Sequence, residues 1–562
     1  MPSEVMLVIV LLVFAANTWL GRPFFDSLTF ALALAVGLPS QMPPAMLSVS
    51  LASGARRLAK GGVIVRRLSL IENLRSMDVL CTDKTGTLTK GRIALADATN
   101  SVGDHDQHVL RLAVLNARIQ RGIDSALQAE GDHLGLPQEP AVRLGELPYD
   151  FSRRRLSVVV ADGDDALIVT KGAVQSVIEC CALSTKGQQS LSARVEDWGR
   201  EGFRVLGLAS RTLPRQEEWS AADESNMRFE GFLLFSDPLR ADAPATVTAL
   251  RARGVSVRVI TGDNRYVAAH VAAGVGVPHA RVVTETEIAT LGADALSRLV
   301  ARTHVFAEID PAGKERIVAA LRQAGHVTGY FGDWINDATA LRLADIGLSV
   351  EGAADVARDA ADMFLTSSDL GVVLQGVDEG RRAFANTLKY LRLASAASFE
   401  NMVSMAAASV VLPFPPLTAG QILLNNLPSD IPLLALAGDR VDREARHHPH
   451  RWHSGNLLRF MAVFGLLSSA FDLMTFWLLI SVFHAPAELF RTAWFIESLL
   501  SELLFNLSIR TQRPFWSSQP STSLAGLALS VAAVATALPW LAVGTALGFV
   551  PLPLPLTASV GA

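Results

Sequence analysis

The distribution of apolar residues constrains the fold of this chain more than any other feature of its sequence. Apolar runs cluster near both ends and flank a long polar block from about Ala52 to Arg392. Half of the residues are hydrophobic and only 19% are charged, which is typical of a membrane protein with a large soluble part. Most runs approach the ~20 residues that span a hydrocarbon core. We therefore predict about seven spans, in the runs Met6–Leu20, Leu28–Leu51, Leu393–Leu412, Leu417–Ala437, Phe460–Phe483, Thr492–Ile509 and Leu524–Phe549.

Basic residues beside these runs predict their orientation. Lys and Arg cluster after the second run, before the third, and again in segments 439–459 and 510–513. Cytoplasmic loops carry an excess of Lys and Arg, so a chain that starts inside and crosses seven times places all four segments in the cytoplasm. The alternative for the first run is a secretory signal peptide, but Pro2–Glu4 lacks the positive flank. We predict a multi-pass membrane protein with cytoplasmic soluble domains.

Charge and cysteine content exclude other classes of protein. The net charge of −4 excludes a dominant basic surface, so we expect no nucleic-acid partner. Three cysteines, two of them adjacent, cannot form the disulfide framework of a small secreted protein.

The sequence of the polar block predicts an α/β fold. Short runs that are mostly β-branched or apolar are each followed by a polar turn and a helix-like stretch. This pattern predicts a parallel sheet with helices on both faces and an active site at the carboxyl ends of its strands. The runs are Val79–Cys81, Val255–Ile260, Val305–Phe306 and Val327–Phe331.

The first strand leads into the sequence DKTGTLT, at positions 83–89. An aspartate directly after a buried strand can be an exposed nucleophile, and Gly86 lets backbone approach a phosphoryl group closely. The alternative is a polar loop that caps a helix. The motif resembles the phosphorylation site of the P-type ATPases. That resemblance implies Asp83 as the nucleophile, with Lys84 and Thr85 beside it, and an aspartyl-phosphate intermediate formed from ATP.

Two further segments match this family. Thr261, Gly262 and Asp263 follow the strand Val255–Ile260 and resemble the motif whose threonine and backbone contact phosphoryl oxygens. Lys314 resembles the lysine that neutralises the aspartyl phosphate. Its alternative is an exposed lysine on a helix.

The sequence GDWINDATAL, at positions 332–341, follows the strand Val327–Phe331. Its aspartates, Asp333 and Asp337, are spaced so that both can approach one Mg²⁺, which Asp83 and Thr85 would share. Trp334 and Thr339 stand where the family usually has glycine and proline. The indole either packs outward harmlessly or damages metal or phosphate binding.

A segment after the first strand resembles the family's nucleotide-binding domain. The resemblance implies that Phe151 stacks on adenine, that the segment of Lys171 and Gly172 lines the pocket, and that Lys171 and Arg204 meet phosphates. Arg155 is a further expected nucleotide-binding residue. The alternative for the arginines around Arg155 is a solvated edge strand.

The resemblance implies a multi-domain membrane protein: an α-helical transmembrane bundle plus an α/β HAD-like (Rossmannoid) phosphorylation domain with an inserted α+β nucleotide-binding domain. We place two membrane helices in 1–53, the phosphorylation domain in 54–90 and 231–375, the nucleotide-binding domain in 91–230, and about five membrane helices in 376–562.

Near the membrane the chain resembles bacterial magnesium-transporting P-type ATPases, which implies the bacterial inner membrane. Prolines in segment 37–44 should break the second span and free backbone carbonyls for a cation, although a simple kink is the alternative. Intramembrane carboxylates are costly enough to indicate function. The predicted ion site comprises Pro39, Gln41, Glu400, Asn401, Asn425, Asn426 and Asp430, while Asp472, Glu497 and Glu502 are weaker candidates.

The family's actuator domain, with its TGE motif, has no counterpart that we find in this sequence. We therefore expect a chain truncated at both ends relative to the family, and a separately encoded actuator half is a candidate partner. The resemblance implies an ATP-driven cation pump that uses ATP and Mg²⁺, with Mg²⁺ as the expected cargo and H⁺ as the alternative. A nucleotide-binding fragment that cannot complete the cycle and a membrane-tethered phosphatase are the competing hypotheses. Thr85 stands where such phosphatases carry a second aspartate.

Overall fold

The computed structural model describes residues 2–37, 43–117, 123–133, 142–150, 152–366, 370–442, 454–511, 513–553 and 556. Two compact units are present. The first combines Met1–Gly61, Arg67–Ser76 and Gln375–Ala562, and the second combines Gly62–Arg66 and Met77–Leu374. The first unit holds the apolar runs and the second holds most of the polar block.

The second unit is built on an eight-stranded sheet. Its neighbouring strands are parallel, except that β1 pairs antiparallel with β14. The strands of this sheet are β1 (Val63–Val65), β2 (Val79–Thr82), β9 (Ser256–Ile260), β10 (Val282–Thr284), β11 (Val305–Ala307), β12 (Thr328–Phe331), β13 (Ile346–Val350) and β14 (Met363–Leu365). Strands β3 to β8 belong to a second, inserted sheet. Their order is β1-β14-β13-β12-β2-β9-β11-β10. The predicted parallel α/β sheet is confirmed, since all four predicted strands lie in it.

Seven helices connect these strands: α9 (Ala243–Ala252), α10 (Arg265–Gly274), α11 (Glu285–Ala289), α12 (Ala293–Arg302), α13 (Pro311–Gln323), α14 (Ala338–Leu343) and α15 (Asp355–Ala360). Side-chain caps mark the start of two of these helices. The Asn264 side chain accepts hydrogen bonds from amides in the first turn of α10, and the Asp310 side chain accepts one from the Gly313 amide in the first turn of α13. Pro311 at the first turn of α13 costs no hydrogen bond there. These caps fix where each helix leaves the strand ends.

A six-stranded antiparallel sheet is inserted after β2. Its strands are β3 (Ala94–Asn100), β4 (Arg143–Asp150), β5 (Arg155–Asp162), β6 (Asp165–Ala173), β7 (Arg204–Pro214) and β8 (Arg228–Ser236), in the order β3-β8-β7-β6-β5-β4. Its helices are α5 (Gln107–Asn116), α6 (Ile123–His133), α7 (Val174–Ile178) and α8 (Thr185–Arg200). Strand β8 continues past residue 230, so the sheet extends beyond the predicted boundary of the inserted domain.

The first unit is helical. Its helices are α1 (Pro2–Trp19), α2 (Phe24–Gly37), α3 (Pro43–Lys60), α4 (Leu70–Ser76), α16 (Gly371–Val411), α17 (Ala419–Leu434), α18 (Ser454–Trp477), α19 (Ala487–Ile509), α20 (Thr522–Ala537) and α21 (Ala542–Ala546). In the described residues two stretches, Gly455–Val482 and Thr522–Trp540, are long and apolar enough to cross a membrane, and Leu7–Trp19 is a shorter apolar helix. The prediction of about seven spans stays a prediction.

Helices α16 and α17 run antiparallel. Asn386, in the first half of α16, donates to the carbonyls of Ala437 and Asp439, which lie just beyond α17. Lys389 pairs with Asp439 at 2.8 Å. The short loop between the two helices predicts this arrangement. Helices α2 and α3 flank the proline-rich segment, but Pro39 and Gln41 lie outside the described residues.

Candidate active site at the carboxyl ends of three strands

The three loops that carry the motifs lie side by side. Strands β12, β2 and β9 are consecutive in the sheet, although they are far apart in the sequence. In a parallel sheet their carboxyl ends meet at one edge. The loops that begin at Gly332, Asp83 and Thr261 therefore converge there.

Asp83 is fixed by donors on both of its oxygens. The residue is buried and directly follows β2, and its side chain is 11% exposed. The Lys84 amide donates to Oδ1 at 2.6 Å, and Lys314 Nζ contacts Oδ2 at 2.7 Å. The carboxylate therefore has one orientation and a neutralising cation.

Lys314 bridges two aspartates. Its side chain on α13 is fully buried, and Nζ lies 2.7 Å from both Asp83 Oδ2 and Asp337 Oδ1. The alternative of an exposed helix lysine is wrong. Burial opposes the ammonium form, but the carboxylates of Asp83 and Asp337 outweigh burial and raise the pKa of Lys314. The lysine therefore stays charged at neutral pH.

Asp333 lies against the loop of residues 83–89 that follows β2. Gly86 has φ of +74°, and a Cβ there would lie 2.6 Å from Asp333 Oδ2. A side chain at position 86 would push this carboxylate away. Burial, together with the charges of Asp337 and Asp83, raises the pKa of Asp333 to about 6.

Trp334 points away from these carboxylates. Its side chain is 63% exposed, and only its backbone amide approaches the site, 3.3 Å from Asp337 Oδ2. Of the two readings of this residue, the outward one fits the structure. Gly332, in contrast, has no room for a side chain, because a Cβ there would lie 2.6 Å from the Asp337 Cβ.

The loop after β9 forms a second charged pair. Asp263 makes a salt bridge with Lys84, and Arg204 Nη1 lies 3.8 Å from its Oδ1. Although burial opposes it, the charges of Lys84 and Arg204 lower the pKa of Asp263. Thr261 Oγ1 accepts the Asp263 amide, while Gly262 is exposed beside them. Lys84 and exposed Thr85 line a narrow cleft with Arg204 of the inserted sheet.

The other predicted nucleotide residues are held inside the inserted sheet. Lys171 on β6 is buried and makes a salt bridge with Asp124, while Gly172 pairs with Arg155 in the strand register. Arg155 Nε contacts Glu224 Oε2 at 2.7 Å. The solvated edge strand is therefore wrong for Arg155, which is mostly buried and paired. Phe151 lies outside the described residues.

In the helical unit the structure buries most of the predicted ion site. Glu400, Asn401 and Asn425 are buried, and Asn426 and Asp430 are half-buried. The weaker candidates Asp472, Glu497 and Glu502 are also buried. Asp472 accepts hydrogen bonds from Ser404 and from Trp494 Nε1.

Several oxygens in that unit have no donor among the described residues: Asn401 Oδ1, Asn425 Oδ1, Glu497 Oε2 and Glu502 Oε2. Buried polar atoms normally have a partner, so each unsatisfied one calls for an explanation. In the described part of the chain, no three acidic, histidine or cysteine side chains surround a common metal position.

Sequence reasoning missed Tyr330, whose hydroxyl donates to Asp337 Oδ1 at 2.8 Å. The sequence could have indicated this role, because a tyrosine stands in a strand predicted to be buried. A buried tyrosine hydroxyl usually needs a hydrogen-bond partner.

A parallel sheet with an aspartate directly after one strand, a buried lysine beside it and an acidic loop at the neighbouring strand end is typical of a haloacid dehalogenase-like protein. The model of the haloacid dehalogenase-like hydrolases matches residues 77–345, and the model of the cation transporting ATPase C-terminus matches residues 414–560. The chain belongs to the P-type ATPases.

Named relatives agree with this assignment. The chain is 40% identical, over 98% of its length, to magnesium-transporting ATPases, P-type 1, of Salmonella typhimurium and Escherichia coli strain K12. It is 28% identical, over 77% of its length, to calcium-transporting ATPase 1 of Yarrowia lipolytica, of which it covers 53%. The chain spans 63% to 64% of the length of the two bacterial relatives.

Proposed function

We propose that this chain carries the phosphorylation and membrane parts of an ATP-driven cation pump with an aspartyl-phosphate intermediate at Asp83. The observation that carries the proposal is the buried bridge from Lys314 to both Asp83 and Asp337, at 2.7 Å each. A lysine so placed neutralises charge at the point where a phosphoryl group would bind.

In the proposed step one Asp83 oxygen attacks the γ-phosphorus of ATP. A bond forms between that carboxylate oxygen and the γ-phosphorus. The bond from the γ-phosphorus to the oxygen that bridges it to the β-phosphate breaks, which releases ADP. The Lys84 amide and Lys314 hold the nucleophile in place before the attack. The hydroxyl of Thr261 and the backbone of Gly262 lie at the adjacent strand end, where phosphoryl oxygens need donors.

The residues at this site fit Mg²⁺. Asp333 and Asp337 offer hard carboxylate oxygens beside Asp83, and Mg²⁺ in phosphoryl-transfer sites needs only one or two carboxylates, with phosphate oxygens and water as its other ligands. The raised pKa of Asp333 reflects negative charge that a cation would relieve. Bound there, Mg²⁺ would neutralise charge on the phosphoryl group.

We further propose that the inserted sheet binds the nucleotide and that Arg204 contacts its phosphates. Arg204 is 48% exposed in its side chain and borders the cleft beside Lys84 and Thr85. Arg155 and Lys171 support the pocket from within the sheet, since they pair with Glu224 and Asp124, and Gly172 pairs with Arg155 in the strand register. Adenine stacking on Phe151 remains a prediction.

We propose that the helical unit crosses the cell membrane several times and binds the transported cation, with Mg²⁺ as cargo. Unsatisfied oxygens of Asn401 and Asn425 and the buried carboxylate of Glu400 support this assignment. Glu400 lies within electrostatic reach of Asp472, Glu497 and Glu502, which extends the proposed site beyond the sequence-based set. Amide and carboxylate oxygens suit a hard divalent cation.

Phosphorylation tests the enzymatic proposal. The full chain, incubated with γ-labelled ATP and Mg²⁺, should form an acid-stable, hydroxylamine-labile phosphoenzyme. Asp83→Asn should abolish the label. Asp359→Asn, which changes a highly exposed carboxylate, is the matched control and should keep it. Label that survives in Asp83→Asn would show that another residue is phosphorylated.

Ion binding tests the transport proposal. With the catalytic site weakened by Asp333→Asn, equilibrium dialysis should still detect Mn²⁺ bound to the membrane unit. Glu400→Gln and Asn401→Leu should each weaken that binding, whereas exposed Ser530→Ala should not. An unchanged affinity in both variants would place the ion elsewhere. No Mn²⁺ bound to the Asp333→Asn chain would favour proton transport.

A further inference from the structure

Tyr330 is a buried polar residue next to the catalytic site. It lies in β12, whose four residues are all buried, and its side chain is fully inaccessible to solvent. Its hydroxyl lies 2.8 Å from Asp337 Oδ1 and donates to it. A phenylalanine would fill the same space in the core, so the hydroxyl is the part that needs an explanation.

The donors around Asp337 differ in kind. Oδ1 receives both the Tyr330 hydroxyl and the Lys314 ammonium, while Oδ2 faces the Trp334 amide at 3.3 Å. Lys314 is shared with Asp83, whereas Tyr330 contacts Asp337 and not the nucleophile. A neutral hydroxyl orients a carboxylate without cancelling the charge that a cation requires.

We propose that Tyr330 is a positioning residue that fixes the Asp337 carboxylate for Mg²⁺ binding, an inference that rests on the proposed function. When a phosphoryl group is added to Asp83, its oxygens compete with Asp337 for the Lys314 ammonium. Tyr330 is then the side-chain donor that still holds Oδ1. Groups that orient a metal-binding carboxylate in this way typically affect metal affinity 10- to 100-fold.

The test removes only the hydroxyl, with Tyr330→Phe in the full chain. Mn²⁺ binding without ATP is followed by the EPR signal of the free ion, and the ion at this site is identified as the one lost in Asp333→Asn. We expect the dissociation constant to rise about tenfold in Tyr330→Phe. Tyr390→Phe, which changes another fully buried tyrosine, is the matched control and should match the parent.

Phosphorylation provides a second readout. The half-saturating Mg²⁺ concentration should rise in Tyr330→Phe by a similar factor, while the maximal phosphoenzyme level stays near that of the parent. A role in packing alone would lower the thermal unfolding temperature and leave the Mn²⁺ dissociation constant within twofold, and that result would overturn the proposal. If the parent forms no phosphoenzyme, the proposed function fails, but the Mn²⁺ comparison still decides the role of Tyr330.

Discussion

Replacing Lys314 by methionine tests the central ion bridge. Methionine has similar length and no charge, so Lys314→Met leaves Asp83 and Asp337 buried without their shared cation. Breaking a buried ion pair by removing one partner typically costs about 3–5 kcal/mol. The carboxylates keep their neutral donors, the Lys84 amide and the Tyr330 hydroxyl. We therefore expect the loss of stability to lie near the lower end of that range.

The loss of stability in Lys314→Met should depend on pH. Burial raises the pKa of Asp83, and the charge of Lys314 opposes that rise, so removing the lysine should raise the pKa of Asp83 further. Ionisation of Asp83 then costs stability as pH rises through its folded-state pKa, and protonation at low pH relieves part of that cost. In the parent Lys314 offsets part of this effect, so its stability should change less between pH 5 and 7 than that of Lys314→Met.

Hydrogen exchange read by mass spectrometry measures this effect locally, which suits a chain with two units. Protection of β2 and β12 amides at pH 7 should fall by a factor of about 10² or more in Lys314→Met, since each 1.4 kcal/mol is about tenfold. The exposed Lys186→Met is the matched control. Unchanged protection at pH 7, or a deficit equal at pH 5 and pH 7, would refute the argument that the bridge neutralises these carboxylates.

Three further predictions concern other groups. Because the pKa of Asp333 is raised to about 6, Mg²⁺ must displace a proton below that pH; half-saturating Mg²⁺ for phosphorylation should rise about fivefold between pH 6 and 5, and a flat profile would contradict this. Trp334→Gly should leave the Mg²⁺ dependence of phosphorylation within about twofold, since the indole is mostly exposed, and a larger change in the titration would mean that the ring reaches the site. Glu224→Gln should lower the local stability of β5 by about 3 kcal/mol, because the buried carboxylate pairs with Arg153 and Arg155 at 2.7 Å; exchange protection of β5 equal to the parent's would show that the pairs contribute little.

Much of the soluble fold was predictable because its signals are local. Strands such as Val79–Thr82 are short buried runs, and the polar loop after each is adjacent in sequence. The placement of Asp83, Thr261 and Asp333 at strand ends followed directly. The predicted break in segment 37–44 stays a prediction, since residues 38–42 lie outside the described residues.

The sequence by itself determined the strand-and-loop pattern, the family and the identity of the motif aspartates, because each depends on neighbours within a few positions. Only the tertiary structure decided which charged groups meet. Lys314 is 231 residues from Asp83, and Lys171 is 47 residues from Asp124. Such pairs depend on the sheet order β12-β2-β9 and on which side chains the core buries. Burial makes an unpaired charge costly, so packing, and not sequence spacing, selected the partner of each lysine.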